Sequence, residues 1–342
     1  MADEEGFSVP TDALTEIFLR LPTSDRRRFR LVCKLWRDAI DERTPERQVQ
    51  TKILAFISHG QSSRAIVFDD KDGHRRQEAY NSTTRGVVEM VGTCNGLICL
   101  HDADDGDRSV ITVANPITGE AVALPPPPAA WGSLRRRGLY AFGYHPTTGR
   151  YKVVHVPSRL ARRQDAVHVL TLCDGSPAAR REVVSPALSG SHNAFCGIAS
   201  VDGSVYWFTS GADRVVALDV GDDERVTSFL APPGVHPVWV LDAGGGEAAR
   251  WSRMYCLRNS SSRIIMSPHL THGEYVLSAS WDGDRLCRRK LCGTGATNGD
   301  DRSAAPLQLS EGAEMIMSEE TEGWLRTFAY AETREPLPSV GR

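Results

Sequence analysis

The chain has 342 residues, a formal net charge of −3, 41% hydrophobic residues and 24% charged residues. This length allows one large domain with a small one, or two of medium size. The acidic balance disfavours a general polyanion binder, which is usually strongly basic. No apolar run reaches the roughly 18 residues of a membrane helix, and the acidic start differs from a signal peptide. We therefore expect a protein of the cytoplasm or nucleus, with no membrane span, whose eight cysteines are free thiols.

The first predicted element is a helix that begins near Pro10 and is stopped by Pro22. Its apolar residues follow the i, i+3, i+4, i+7 spacing and share one face. They are Leu14, Ile17, Phe18 and Leu21.

A second helix is predicted to follow an N-cap among residues 23–25 and to end before Pro45. Its apolar residues again keep helical spacing: Phe29, Val32, Cys33, Trp36 and Ile40. About forty residues bury too little surface to be comfortably stable. The apolar stripes of these helices therefore need a partner, either the following domain or another protein.

From about residue 51 the pattern changes to short, mostly apolar segments that predict strands. They cover residues 52–58, 64–68, 97–101, 110–114, 151–156, 166–172, 204–209, 214–220, 253–257 and 274–280. Turn-forming dipeptides separate them, and no long amphipathic helix is evident. Many short strands at close spacing favour an all-β sandwich, barrel or propeller.

Weak internal similarity favours the propeller. Residues 115–120 and 145–150 share an x-Pro-x-Thr-Gly-charged turn, and glycines 96, 143 and 197 each open a strand-rich unit. These glycines are 47 and 54 residues apart, close to the roughly 50 residues of a kelch-type blade.

Other site types have weak support in the sequence. The cysteine pairs Cys94/Cys99 and Cys287/Cys292 lack the C-x2-C spacing of common zinc sites. No Gly-x-Ser-x-Gly elbow or His-Glu-x-x-His motif indicates a hydrolase or a zinc protease. Short arginine runs are dispersed and balanced by acids, so nucleic-acid binding is not expected. We predict no catalytic residues, no cofactor and no metal.

Residues 9–22 (VPTDALTEIFLRLP) and 28–37 (RFRLVCKLWR) strongly resemble the F-box motif. In that family the motif docks on a Skp-type adaptor, which in turn holds a cullin and a RING subunit. The sequence departs from the family at Arg26 and Arg27, where apolar residues are usual. The resemblance assigns adaptor binding to Pro10, Leu14, Ile17, Leu21, Pro22, Val32, Cys33 and Trp36, with Trp36 as the main anchor.

The remainder resembles a plant F-box-associated β domain. The segments that carry this resemblance are residues 92–100 (GTCNGLICL), 114–120 (ANPITGE), 142–154 (FGYHPTTGRYKVV) and 201–207 (VDGSVYW). Together the two resemblances run over about residues 9–220.

We therefore predict an α+β multidomain protein. A small helical F-box at residues 8–48 precedes a mainly antiparallel all-β domain at residues 50–335, which we expect to be propeller-like and kelch-like. The resemblance implies a substrate-recognition subunit of an SCF-type ubiquitin ligase, whose F-box binds the adaptor and whose β domain binds an unidentified target protein. Two alternatives stay open: an adaptor-bound scaffold without ubiquitin transfer, and a propeller enzyme.

Overall fold

A computed structural model of the protein describes most of the chain. The described residues are 10–21, 26, 29, 32–43, 51–68, 76–83, 86–103, 110–124, 138–145, 148–157, 166–172, 179–185, 198–201, 203–209, 214–221, 224–230, 237–242, 250–256, 268–272, 274–279, 285–292, 307–309, 314–318, 324–334 and 337. No described helix is long and apolar enough to cross a membrane.

A small helical module opens the described chain and contains α1 (Thr11–Arg20) and α2 (Lys34–Arg43). Helix α1 follows Pro10, as predicted, and carries an acidic residue in its first turn, where the helix dipole favours it. The helix ends at Leu21, which is extended with φ −83° and ψ 147°. This conformation is expected because a proline disfavours helical geometry in the residue before it.

The prediction of one continuous second helix is wrong. The chain leaves helical geometry at residues 32–33, and α2 begins only at residue 34. In a straight helix Phe29 and Trp36 would be separated by about 10.5 Å along the axis, at 1.5 Å per residue. The break brings their ring centroids to 5.5 Å and lets both rings pack against Phe18. The helical spacing was correct on each side of the break, but packing around one aromatic residue requires it.

Five mostly antiparallel sheets follow and are arranged as a five-bladed β-propeller, so the predicted fold class is confirmed. Blade 1 contains β1 (Lys52–His59), β2 (Ser62–Phe68) and β3 (Arg76–Thr83). Blade 2 contains β4 (Val87–Cys94), β5 (Leu97–Ala103), β6 (Val110–Ala114) and β7 (Ala121–Leu124). Blade 3 contains β8 (Leu139–His145), β9 (Arg150–Val156), β10 (Ala166–Thr171) and β11 (Ala179–Val184). Blade 4 contains β12 (Ile198–Val201), β13 (Ser204–Phe208), β14 (Arg214–Asp219) and β15 (Val226–Leu230).

The fifth sheet is larger and has the strand order β16-β17-β21-β20-β19-β18, with β22 also paired to β20. Its strands are β16 (Pro237–Asp242), β17 (Arg250–Cys256), β18 (Pro268–His272), β19 (Tyr275–Ala279), β20 (Arg285–Cys292), β21 (Leu307–Leu309) and β22 (Glu314–Ser318).

The last strand, β23 (Trp324–Tyr330), closes the ring because it completes blade 1. It pairs antiparallel with β1, from Lys52 opposite Tyr330 to Ser58 opposite Trp324. It also runs beside β4, the inner strand of blade 2, where the Thr93 hydroxyl donates to the Ala329 carbonyl. Joining the first and last described strands in one sheet removes the open edge that an incomplete ring would leave.

The core lies between the blades. Alternate residues of β1 serve two different interfaces: Leu54 and Phe56 pack in the cluster shared with blade 2, whereas Ile53 and Ile57 pack in the cluster shared with the fifth sheet. Similar clusters fill the spaces between blades 2 and 3 and between blades 3 and 4. A strand that is buried on both faces reads as a continuous apolar run rather than as an alternating pattern.

The predicted blade length holds, but the predicted repeat markers do not. Blades 2, 3 and 4 begin at Val87, Leu139 and Ile198, which are 52 and 59 residues apart. However, Gly96 precedes the second strand of its blade, whereas Gly143 lies within the first strand of the next. The two Pro-x-Thr-Gly turns likewise join different strand pairs, β6–β7 and β8–β9. The shared sequence therefore encodes a turn conformation and not a blade repeat.

Candidate adaptor surface and the two faces of the propeller

The helical module has its own small apolar core. Leu14, Phe18, Ala39 and Ile40 are buried, and Phe18 is 1% exposed. The ring of Trp36 lies 5.3 Å from that of Phe18, in an edge-on arrangement that aromatic rings favour. Residues four apart, such as Leu14 and Phe18, reach this core together because they share one face of α1.

Outside this core, the module exposes apolar side chains. Ile17 is 49% exposed, Val32 59% and Leu35 50%, and we call these three residues the module's apolar surface. Pro10 lies seven residues before Ile17, so it falls on the same flank of α1. Leu19 is also 49% exposed, but it lies on the opposite flank, about 200° around the helix from Ile17.

The structure divides the predicted adaptor-binding residues into two groups. Four are exposed: Pro10, Ile17, Val32 and Cys33. Three belong to the module's core or pack against it: Leu14, Leu21 and Trp36. Pro22 lies outside the described residues. Their contact with an adaptor stays a prediction, and Trp36 contributes first to the fold of the module itself.

Sequence analysis missed Leu35. Its neighbours Trp36 and Ile40 define the core stripe of α2, and Leu35 lies about 100° from Trp36 on the helix. The sequence did contain a signal for Leu35. The core stripe of α2 is complete without this leucine, so an apolar residue outside the stripe can be buried only against another protein or another part of the chain. Arg26, at a departure from the family pattern, is half-buried, and Arg27 lies outside the described residues.

The two faces of the propeller differ. The chain enters β1 at Lys52, and this side, the near face, is also where the first two strands of blades 2, 3 and 4 are joined, between residues 94 and 97, 145 and 150, and 201 and 204. Within the first four blades no near-face connection exceeds seven residues. On the opposite side, the far face, 14 residues separate the end of β7 from the start of β8, and 13 separate the end of β11 from the start of β12. The far face therefore has more chain with which to vary a binding surface.

Comparison with known families matches both parts of the chain. The F-box domain matches residues 7–47, and the F-box associated beta propeller domain matches residues 46–224, which is more than half of the chain. The chain belongs to the F-box-associated β-propeller family. The helical module is hereafter the F-box module.

Relatives in Arabidopsis thaliana match between about half and four fifths of the chain. F-box protein At2g43440 is 26% identical over 281 residues, which cover 71% of this chain and 65% of the relative. F-box protein At3g07870 is 26% identical over 191 residues, covering 48% and 45%. F-box protein At5g65850 is 26% identical over 310 residues, covering 81% and 73%. The first two matches thus span about half to two thirds of these relatives' length, and the resemblance to plant F-box proteins is confirmed.

Solved structures give a weaker likeness. A protein from Lactobacillus plantarum is 10% identical and has a TM-score of 0.42, covering 81% of this chain and 99% of that one. TolB from Acinetobacter baumannii is 12% identical with a TM-score of 0.38, covering 86% and 71%. At these scores the likeness carries no information on function.

A row of buried rings crosses the interface between blades 2 and 3. His101 of β5 stacks on Tyr140 of β8, with ring centroids 4.6 Å apart, and Tyr140 stacks on His155 of β9 at the same distance. The Nδ1 atoms of His155 and His168 are 3.1 Å apart, so one ring donates a hydrogen bond to the other. Burial lowers the pKa of His101 and of His168 and raises the pKa of Tyr140. The rings of His101, Tyr140 and His168 are therefore neutral near pH 7.

A buried ion pair joins blades 3 and 4 near the near face. The Lys152 ammonium donates to Glu224 Oε1 and to the Gly221 carbonyl, each at 2.9 Å, and both charged side chains are 3% exposed. Arg181 Nε lies 3.4 Å from the second carboxylate oxygen. Glu224 has a φ of +45°, which places its side chain toward Lys152 at the expense of an unusual backbone conformation.

The described residues contain no cluster of three or more His, Cys, Asp or Glu side chains that could hold a metal ion. Cys99, which was weighed as a zinc ligand, is fully buried in the cluster between blades 2 and 3, and burial raises its pKa. A thiol in this setting behaves as a small apolar side chain.

Proposed function

We propose that this protein is the substrate-recognition subunit of an SCF-type cullin–RING ubiquitin ligase, acting in the cytoplasm or nucleus. The F-box module binds a Skp-type adaptor, and through it the cullin and RING subunits. The propeller binds the target protein. In this role the protein needs no catalytic groups of its own. It promotes ubiquitin transfer by holding the target beside a charged ubiquitin-conjugating enzyme, which raises the effective concentration of the reacting groups.

The observation that carries this proposal is the module's apolar surface. Ile17, Val32 and Leu35 remain half-exposed although the aromatic core beside them is complete. Exposed apolar side chains on a module of this size are typical of a protein–protein interface when they form one patch. The F-box match over residues 7–47 supports a Skp-type adaptor as the partner.

Target binding is proposed for the far face. The strand ends with the longest separations in sequence between blades 2 and 3 and between blades 3 and 4 lie there, and so do the exposed side chains of Val87 and Trp324 at the starts of their strands, 42% and 70% exposed. Exposed tryptophans are frequent anchors of protein interfaces. Because the F-box module joins the propeller at the near face, a target on the far face would not compete with the adaptor for space.

The adaptor contact is tested with two variants of α1. Ile17→Asp places a charge in the apolar surface and should weaken adaptor binding at least about ten-fold, since burying an isoleucine is worth roughly 1.5–3 kcal/mol. Leu19→Asp is the matched control, because Leu19 is equally exposed on the opposite flank. Titration of the purified adaptor measures both affinities. Equal weakening by the two variants would remove Ile17 from the interface.

Ubiquitin transfer separates a ligase receptor from an interaction scaffold. The protein is assembled with the adaptor, cullin and RING subunits and supplied with ubiquitin-activating and ubiquitin-conjugating enzymes. With the wild-type chain, we expect ubiquitin to be attached to the proteins that bind the propeller. With the Ile17→Asp variant, we expect no ubiquitin on these proteins. A complex that assembles but attaches no ubiquitin to any protein bound by the propeller would favour an interaction scaffold without ubiquitin transfer.

A further inference from the structure

The segment that follows β23 lies across blade 2, although β23 itself belongs to blade 1. We call this segment the strap and define it as residues 331–334 and 337. Three sets of contacts hold it on the near face. Two of them involve the turns at residues 95–96 and 115–120, which the sequence singled out as family markers and to which the proposed function assigns no role.

The first contact is with the two-residue turn that joins β4 and β5. Asn95 and Gly96 have φ values of +50° and +81°, as a tight hairpin turn of the primed type requires. A Cβ atom at Gly96 would lie 2.6 Å from the Ala331 carbonyl oxygen and would also overlap the Thr333 side chain. The strap thus lies directly on the backbone of this turn, and only glycine leaves room for it.

The second contact is with the turn between β6 and β7. Asn115 is 1% exposed, and its side-chain oxygen accepts hydrogen bonds from the backbone of the turn, including the Ile117 N–H at 2.9 Å. Its side-chain nitrogen donates to the Thr333 carbonyl at 3.2 Å. At the other end of the turn, Glu120 Oε2 accepts from the Leu337 N–H at 3.0 Å.

The turn between β8 and β9 is a natural comparison. Gly149 donates to the His145 carbonyl at 2.9 Å, as Gly119 does to the Asn115 carbonyl, so the two turns share this backbone hydrogen bond. In the second turn, however, His145 Nε2 lies 3.4 Å from Asp219 of blade 4. His145 Nδ1 accepts from the Thr148 N–H at 3.2 Å, as Asn115 Oδ1 accepts from the backbone of its own turn, and the side-chain nitrogen of Asn115 makes the further contact with the strap.

The third contact joins the strap to the point where the chain enters the propeller. Glu332 Oε1 lies 2.6 Å from Lys52 Nζ, and the two side chains are 33% and 18% exposed. Lys52 is the first residue of β1 and follows the segment that connects the F-box module. A partly buried pair of this kind is stronger than a surface pair because solvent screens it less.

We infer that the strap is a latch that locks the propeller ring and fixes the point at which the F-box module is attached. It fastens the closing strand β23 to blade 2 through Gly96, Asn115 and Glu120. Through Glu332 it also holds the start of β1, the strand with which β23 pairs. Release of the strap would loosen both strands of the closure together. This inference depends on the fold alone and not on adaptor binding, so failure of the Ile17→Asp test would leave it intact.

The latch is tested in the full chain by reversing the Lys52–Glu332 pair. Glu332→Lys places two cations together and should speed hydrogen exchange of β23 and of the first half of β1 at least about ten-fold, because it replaces a charge-assisted hydrogen bond with like-charge repulsion. The double variant Lys52→Glu/Glu332→Lys restores the opposite charges and should return exchange toward the wild-type rate. Mass spectrometry of peptides from the two strands measures both rates.

Lys290→Glu is the matched control, because it breaks the exposed Lys290–Glu274 pair of 3.2 Å in the fifth sheet. Exchange of β23 and β1 should not change in this variant. If Glu332→Lys yields too little protein, Glu332→Gln removes the charge at nearly constant shape and should increase exchange in the same two strands. Wild-type exchange in the Glu332 variants, or failure of the double variant to restore it, would overturn the latch.

Discussion

At the scale of single residues, the pair between Lys152 and Glu224 is a deeply buried electrostatic contact of the propeller. Both charges are almost completely removed from water, so each depends on the other for compensation. Glu224→Gln keeps the shape of the side chain but leaves the lysine charge buried without its counter-charge. We expect it to lower the free energy of unfolding by about 3–5 kcal/mol, measured by urea denaturation.

Glu274→Gln serves as the comparison for this prediction. Glu274 also pairs with a lysine, Lys290, but both side chains are about half exposed. Exposed pairs contribute roughly 0–1 kcal/mol, so this variant should unfold at nearly the wild-type urea concentration. Similar effects of the two substitutions would show that the buried pair does not hold blades 3 and 4 together.

The buried histidines predict how stability depends on pH. Burial lowers the pKa of His101, against the opposing effect of Glu89, and lowers the pKa of His168, against that of Glu182. In the unfolded chain each histidine titrates near its ordinary value of about 6.5. As the pH falls below about 6.5, the unfolded state therefore gains protons that the folded state does not. Stability should be constant above about pH 7 and fall by up to about 1.4 kcal/mol per pH unit for each histidine.

Urea denaturation at several pH values between 7.5 and 5.5 measures this slope. His101→Phe keeps a ring beside Tyr140 without a titrating group, so its stability should fall less steeply than that of the wild type. An unchanged slope in His101→Phe would mean that His101 is protonated equally in the folded and unfolded states.

At the scale of elements, the strands that the sequence predicted share one property. All ten lie between two neighbouring strands of their sheet, as β1, β9 and β14 do. Strands in the middle of a blade are covered on both faces by neighbouring blades, so they read as apolar runs. The outer strand β11, with the sequence ARREVV, is mostly exposed, and the inner strand β12 is half-exposed, so neither carries such a run.

Strand β20 shows where this signal fails. It lies in the middle of the fifth sheet, but its sequence RLCRRKLC is strongly cationic and predicted no strand. Its Arg288 is 7% exposed, donates to Glu314 at 3.0 Å and stacks over the ring of Tyr275 at 4.7 Å. These compensating contacts come from two other strands, so the sequence of β20 alone could not reveal that an arginine is buried there.

At the scale of the whole molecule, the F-box module and the propeller have separate cores. The described members of the module's cluster all lie between Leu14 and Ile40, and the four propeller clusters contain only residues from Ile53 onward. We therefore expect a chain that lacks residues 1–48 to keep its β fold and its target while losing adaptor binding. The isolated residues 1–48 should bind adaptor but no target.

Circular dichroism and pull-down of each half test this division. The full chain is the reference for both measurements. If the propeller half loses its β spectrum, the helices are part of its core, and the simplest argument that the module's apolar surface serves an adaptor is lost.

The sequence by itself determined the two-part organisation, the amphipathic helices, the interior strands and the family, because each of these depends on residues close together in the chain. Tertiary structure alone decided the break before α2, the exposure of Leu35 and the pairing of the buried charges of Lys152 and Glu224. It also decided the role of the turn at Asn115, which is completed by Thr333 and Leu337 more than 200 residues later. No local pattern records such contacts, because a turn has the same sequence signal whether or not a distant segment lies against it.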